Sequence, residues 1–497
     1  MSDQAPFIPP APDREAIPPA PWRVFHVPGF LPLFGAQFAS SLGDWIGLFA
    51  ILAIAGRVSN SATAVGFVMV ARMLPGFLFA PLGGVLIDRW NRKVVMVSAD
   101  IGRFGLLMLL PFWQNIWGLV ILSFAIEMLT LLWSPAKDAT VPNIVKDPEQ
   151  LASANSLGLV AAFGTFPIGA VMFAALAGIA GWLGGFHALR PLGVKQESLA
   201  IWVDGATFLV SAFLISRLRL DEGERGTRAR VPLAQTWTDV KQGLGFIRSN
   251  PLVRGVMIGL AGGLIGGGAI VPLGVTVARQ VLHGGPAAFG LLMTALGIGA
   301  AIGVVTLLWL QRRLPRQFVF TTAVVATGVA IVAVASMSSL LPAFVLVAVL
   351  GASAGCAYVT GFTMLQESVH DDMRGRTFAT LYTIVRLCLL LSLTIWPFIA
   401  GGLNAISRHA LNSGIHAGRL RIALPGVRLA LWLGGAITVF SGLAAQRRMS
   451  LLVDEREVGD DDASPSVDIT ETIRLAEPVD LAEPFEPAQR LDASEPT

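Results

Sequence analysis

Twelve apolar stretches dominate this chain, near residues 31–56, 64–87, 94–111, 116–133, 153–181, 199–216, 253–276, 288–310, 318–337, 341–365, 377–401 and 427–446. An α-helix needs about 20 mostly apolar residues to cross the hydrocarbon of a bilayer. The spacing therefore predicts an all-α polytopic membrane protein of twelve transmembrane helices. Charge content agrees, since only 14% of the 497 residues are charged and the mean hydropathy is +0.66. A soluble domain carries roughly a quarter charged residues. The fifth stretch is long and glycine-interrupted, and Pro167 is the place where it is expected to tilt or break.

The loops choose an orientation. An even number of spans puts both termini on one side. The connections after spans 2, 4, 6, 8 and 10, with Arg447 and Arg448, hold 20 Lys and Arg against 8 on the opposite loops. The positive-inside rule then places both termini in the cytoplasm. Cations spread over short loops in this way read as membrane orientation and not as a nucleic-acid surface. The region 403–426 runs against the trend, concentrating Arg408, Arg419 and Arg421 outside, where they can meet lipid phosphate, solvent or an anionic solute.

The remaining segments divide the chain into five parts. Residues 1–29 are proline-rich and lack the plan of a cleaved signal; they read as a disordered cytosolic tail. Residues 30–217 and 252–446 make two six-span bundles that look like approximate repeats, a known transporter plan. The linker 218–251 contains apolar Val240, Leu244 and Ile247 at helical spacing, which predicts a helix along the inner surface. Residues 447–497 carry 14 acids against 5 arginines, a composition that cannot bury enough surface to fold. A docking role for this tail is open, with no partner indicated.

Several chemistries find no support. Cys356 and Cys388 lie inside apolar runs and suggest neither a disulfide framework nor a metal site. His409 and His416 lack metal-ligand spacing. The glycines of 261–269 have no following Lys-Ser or Lys-Thr to cradle a phosphate, so neither nucleotide binding nor an ATPase subunit is implied; they suit close packing or bending of span 7. No serine, histidine and carboxylate arrangement suggests an enzyme. Trp45, Trp113, Trp117, Trp133 and Trp182 read as interfacial anchors. No cofactor is expected.

The connection between spans 2 and 3, Pro81-Leu-Gly-Gly-Val-Leu-Ile-Asp-Arg-Trp-Asn-Arg-Lys93, is the most distinctive motif. Gly84 permits close helix approach, Asp88 can face a helix N-terminus, and Arg89, Arg92 and Lys93 hold the cytosolic side. This loop resembles the signature of the major facilitator superfamily. Ser40-Ser-Leu-Gly-Asp-Trp45, Ala71-Arg-Met-Leu-Pro75, Ala99-Asp-Ile-Gly-Arg103, Ala154-Asn-Ser156, Asp204-Gly-Ala-Thr-Phe208 and Gly243-Leu-Gly-Phe-Ile-Arg-Ser-Asn-Pro251 are similar to its macrolide-efflux and enterobactin-exporter subgroup. The resemblance covers about residues 30–448. It implies that Gly84, Asp88 and Arg92, with Asp100 and Arg103, latch the inner gate, Asp88 meeting the start of span 11 near Arg376 and Thr377. A static helix cap is the alternative. Two departures stand out. Asn91 replaces the usual glycine, tolerable because Asn accepts left-handed backbone. Phe166-Pro-Ile-Gly169 replaces the core of the motif associated with antiporters.

Charges at mid-depth each demand a reason, because one costs on the order of 2.5–3.5 kcal/mol by insertion scales. Asp44, Arg72, Glu127 and Arg386 stand out. At 1.5 Å per residue, Asp44, Glu127 and Arg72 lie about 18, 16 and 12 Å from the outer ends of their helices. Arg386 lies about 14 Å from the inner end of its own. Either Asp44 or Glu127 carries a proton opposite Arg72 or Arg386, or the charges form a permanent structural pair. Phe34, Phe38, Phe163, Phe166 and Tyr382 are candidates for an apolar cavity wall. The family resemblance implies export of an amphipathic small molecule, such as an antibiotic or siderophore, by alternating access across the cell's inner (plasma) membrane. Uptake, lysophospholipid movement and a membrane scaffold using the acidic tail are the competing readings. Partners are then a small-molecule substrate and membrane lipid.

Overall fold

The computed structural model describes residues 21–79, 90–113, 115–184, 195–219, 245, 247–368, 371–410, 414–417, 420–423 and 425–462. Of these, 410, 414–417, 420–423 and 450–462, with 21, 371–379 and 382, are described by backbone alone. The N-terminal half contains α1 (Phe30–Ser59), α2 (Ala62–Leu78), α3 (Arg92–Leu109), α4 (Ile116–Ile144), α5 (Pro148–Leu183) and α6 (Ser198–Ser216). The C-terminal half contains α7 (Pro251–Gly267), α8 (Ile270–Gln280), α9 (Pro286–Leu310), α10 (Arg316–Ser336), α11 (Leu340–Ser368), α12 (Asp371–Ala410) and α13 (Gly426–Asp462). A two-stranded antiparallel hairpin, β1 (Gly414–Ala417) with β2 (Leu420–Ala423), precedes α13. Taking α7 with α8 as one span, eleven spans among the described residues are long and apolar enough to cross a membrane, and Ala62–Leu78 is a shorter twelfth.

Local sequence sets many helix starts. Side-chain oxygens of Ser61, Asn91, Asn115, Asp147 and Asn250 accept from backbone N–H groups in the first turns of α2, α3, α4, α5 and α7. Pro148, Pro251 and Pro286 occupy first helical positions, where no N–H is needed. Asn91 is therefore a cap in extended backbone (φ −65°) and does not use the left-handed conformation expected of it.

Glycine bends one span as expected, whereas proline does not break another. α5 runs unbroken through Pro167. In the turn before it, the Thr165 hydroxyl donates to Ala161 O at 2.8 Å, and the Trp45 indole N–H to Ala162 O at 3.0 Å. Likewise α4 continues through Pro135 and Pro142, absorbing residues expected in a loop. The seventh span, by contrast, divides at Gly268 and Ala269 into α7 and α8. Its freed carbonyl at Ile265 accepts from the Ser392 hydroxyl (2.9 Å) and the Trp396 indole (2.5 Å), so a neighbouring helix satisfies the bend.

Two tails begin with more structure than composition suggested. Residues Pro21–His26 form a 3-10 turn in which Val24 is buried and Phe25 packs on the rings of Phe30 and Phe34. Helix α13 extends to Asp462, so 447–462 is helical. Of the predicted linker helix, only Gly245 and residues 247–249 are described, and they are helical; the rest lies outside the described residues.

Three apolar cores organise the bundle. One joins both halves at a single end, drawing on Ile46–Ala55 of α1, Ala170–Ala177 of α5, Ile270–Ala278 of α8 and Ala288–Ala295 of α9. At its centre the fully buried rings of Phe49, Phe173 and Phe289 lie 5.8–6.1 Å apart. Toward the other end the cores separate, one within the N-terminal half (Leu33, Met96, Trp133, Ile215) and one within the C-terminal half (Leu260, Phe320, Met364, Leu381). The halves are thus sealed together at the end that carries the α1–α2 and α5–α6 connections. Among the described residues they share no core at the end carrying the α4–α5 connection.

Candidate functional site

The N-terminal half holds a chain of buried charges built on four helices. Asp100 and Arg103, one turn apart on α3, are completely buried and ion-paired. Asp100 also accepts from the Ser211 hydroxyl of α6 (2.7 Å) and the Trp133 indole of α4 (3.1 Å). Arg103 sits 4.1 Å above the Phe208 ring and reaches the Ser40 hydroxyl of α1 at 3.5 Å. Every hydrogen-bonding position of Asp100 is answered by a neighbour, so this pair fastens α3 to α1, α4 and α6. Its contacts lie inside the N-terminal half. Trp133 is thereby a buried donor rather than an interfacial anchor, and half-buried Trp45 likewise donates within the bundle; Trp113, Trp117 and Trp182 are exposed.

A second group is far less satisfied. Asp44 of α1 and Glu127 of α4 are half-buried, and Arg72 of α2 is buried. The cations that face Asp44 are Arg103 and Arg72, and Glu127 is faced by Arg72, Asp44 and Arg103. The structure therefore brings Asp44, Arg72 and Glu127 together. Arg386, on exposed surface of α12, is not among the charges facing them. A fourth member was not singled out from the sequence as a charge. Asp204 of α6 is 3% exposed and faces Asp44, Arg72 and Arg103. Its Oδ1 has no hydrogen-bond partner, nor has Arg72 Nε. The signal was available, since Asp204 stands well inside an apolar span opposite Gly43 and Gly47 of α1.

The other expected site residues separate. Arg92 donates to Ala139 O near the end of α4 (2.9 Å), and Lys93 to Leu218 O just beyond α6 (2.8 Å). Both cations thus satisfy carbonyls at helix C-terminal ends, where positive charge is favoured. Gly84, Asp88 and Arg89 lie outside the described residues, as does the side chain of Tyr382. Phe38 and Phe163 are exposed, whereas Phe166 is half-buried and packs edge-on to Trp45 and Phe49 against the shared core. The C-terminal half contributes an apolar crevice of about 300 Å³ between α7, α10, α11 and α13, lined by Leu260, Leu264, Val324, Ala357 and Tyr358.

Two helical halves joined at one end, with unpaired charge inside the bilayer, define a polytopic membrane transporter. The chain belongs to the major facilitator superfamily, whose profile matches residues 33–393. Several relatives are similar at low identity. The uncharacterized MFS-type transporter YfiS of Bacillus subtilis is 25% identical over 45% of this chain and 50% of its own. The multidrug efflux pump Tap of Mycolicibacterium fortuitum is 24% identical over 83% of this chain and 95% of its own. Macrolide efflux protein A of Streptococcus pyogenes is 21% identical over 75% and 89%. Among solved structures, a bacterial homolog of the human lysosomal transporter Spinster superposes with a TM-score of 0.63 over 86% of this chain and 97% of that one, at 15% identity.

Proposed function

We propose that this protein is a proton-driven exporter of amphipathic small molecules, antibiotic- or siderophore-like, in the inner (plasma) membrane with both termini cytoplasmic. One observation carries the reading. Four carboxylates, Asp44, Asp100, Glu127 and Asp204, face two guanidiniums, Arg72 and Arg103, and Arg103 is ion-paired to Asp100, so Arg72 is the cation left to the other three. One cation neutralises one carboxylate, and an uncompensated charge in this setting is expensive. The group therefore has capacity to take up and release protons as it is alternately shut from and opened to water. Glu127 and Asp44 are half-buried and can exchange with solvent; Asp204 is sealed and reaches water through them.

The apolar crevice of the C-terminal half suits the apolar part of an amphipathic cargo. The efflux functions named for Tap and macrolide efflux protein A support the direction. By the superfamily resemblance, Gly84, Asp88 and Arg89 latch the open end when the halves rock. The test is a solute screen in inverted vesicles with and without an imposed proton gradient. Uptake of an amphipathic compound that needs the gradient and is lost in Glu127→Gln is expected. Gradient-independent uptake, or an unchanged proton requirement in Glu127→Gln, overturns the proposal.

A further inference from the structure

At the sealed end, residues of both halves line an open cavity of about 750 Å³ that the transport mechanism does not use. Arg57 at the end of α1, with Lys195 and Glu197 just before α6, lines it from the N-terminal half. Arg279 at the end of α8 and His283 line it from the C-terminal half. Arg57 commits its Nε to Glu197 at 3.2 Å, which leaves its other guanidinium nitrogens for a further acceptor. Glu197 is 1% exposed, so it serves as the buried brace that holds Arg57 in place. Arg279 makes no ion pair among the described residues. Gly284, Gly285 and Pro286 also line the cavity, and Gly285 starts the 25-residue helix α9 without a side-chain cap.

The cavity is therefore cationic from both sides of the seam, and among the described residues its one carboxylate is paired with Arg57 through Oε1 while Oε2 has no hydrogen-bond partner. Burial and the neighbouring Arg57 push the Lys195 ammonium below the usual lysine range, Glu197 pulling the other way, as crowding by positive charge requires. Like charges meeting across a seam oppose its closure. Guanidinium forks from opposite walls match a tetrahedral oxyanion in charge.

We propose that this cavity binds a phosphate group, bridged between Arg57 of one half and Arg279 of the other, and that its binding favours the state sealed at this end. The occupant exists only where both walls are present, so it binds the sealed state and draws the population toward it. The phosphate can be free in solution or carried on a lipid headgroup. The inference rests on the fold alone and is independent of cargo and of proton coupling.

The experiment uses the full-length protein in nanodiscs of phosphatidylcholine. Spin labels at Phe112→Cys and Leu341→Cys, in a background lacking Cys356 and Cys388, report the separation of the halves at the sealed end; both positions are exposed and outside the cavity. Inorganic phosphate, compared with chloride at equal ionic strength, is expected to increase the short-distance population saturably. Arg279→Gln is expected to weaken that response about tenfold, the loss of one charge-assisted contact, with Arg279→Lys recovering part of it. Replacing part of the phosphatidylcholine with phosphatidic acid separates the sources. A shift produced by the lipid, with no further effect of free phosphate, assigns the site to a headgroup; a shift from free phosphate only assigns it to a solute. No response to either inorganic phosphate or phosphatidic acid, or an equal response in Arg279→Gln, overturns the proposal. Because Arg279 has no partner to orphan, a monodisperse Arg279→Gln protein is expected, and its elution profile checks this.

Discussion

The Asp204 carboxylate of α6 lies against the Cα of Gly47 on α1, in the space that a Cβ at position 47 would need. One turn earlier, Gly43 leaves room for Asp204 Oδ1 and for Thr207 Oγ1. Two glycines thus admit a buried carboxyl into the contact between two spans, which small residues allow by close approach. Gly47→Ala is expected to force the helices apart or to turn Asp204 away. Overpacking of this kind costs about 1–3 kcal/mol. Thermal melting in detergent checks the loss, and a melting temperature equal to wild type counts against the contact.

Asp204→Asn separates packing from charge. The amide keeps the shape and removes the ionisable group, so expression and melting are expected to stay near wild type. What changes is the proton dependence of transport, because Arg72 is then shared by two carboxyls instead of three. Initial export rates measured across a pH series decide this; a profile superimposable on wild type removes Asp204 from the coupling group.

Asp100 predicts the opposite outcome. It answers Arg103, Ser211 and Trp133 at once with no exposure to water. Asp100→Leu leaves the Arg103 guanidinium buried and uncompensated, for which the expected loss is about 3–5 kcal/mol of stability. The variant should reach the membrane at much lower yield, whatever the pH. If it accumulates and melts normally but fails only in transport, the pair is a moving part and not a fastener.

The distribution of what the sequence revealed follows from physical scale. Hydropathy acts over whole spans, so twelve segments and two halves are legible from apolar length alone. Helix ends depend on single residues and their neighbours. Pro167 reads as a place to tilt or break, yet α5 runs through it, as α4 does through Pro135 and Pro142. Gly268 looked like one glycine among several, and it marks the bend because Ser392 and Trp396 are placed to satisfy the opened carbonyl. The co-location of Asp44, Arg72 and Glu127 was legible because depth scales with residue count. Arg386 was expected at comparable depth on the opposing half, but depth says nothing of which side of a helix faces which neighbour. Asp204 is legible by the same measure, since it stands six residues after Ser198 at the head of its helix.

Close helix packing in the C-terminal half gives a further prediction. Gly299 and Gly303 of α9 face the backbone of Ala348 and Ala352 on α11, while Gly351 and Gly355 of α11 face Leu296 and Ala300 of α9. Two glycine pairs at four-residue spacing therefore meet face to face, the arrangement in which helices in lipid approach most closely. The clash at Gly303 is with backbone, which cannot turn aside as a side chain can. Gly303→Val is expected to destabilise this half strongly. Limited proteolysis should show cleavage in the C-terminal half before the N-terminal half, and an unchanged cleavage pattern would falsify the contact.

Lys195 supplies a prediction in pH. Its ammonium, in the sealed end beside Arg57, titrates below the ordinary lysine value of 10.5. The unfolded chain then binds this proton more readily than the folded one in the window between the lowered value and 10.5. Stability rises with pH wherever the unfolded state holds more protons, so the folded protein gains as pH climbs through that window and the repulsion from Arg57 is relieved. The group is largely open to solvent, so screening keeps the effect small. In chloride buffer, the melting temperature of wild type is expected to gain on that of Lys195→Gln as pH approaches 10.5. Curves that stay parallel would mean that Lys195 carries no charge strain. If phosphate occupies the cavity, the gain should shrink when phosphate replaces chloride, because a bound anion favours the protonated lysine.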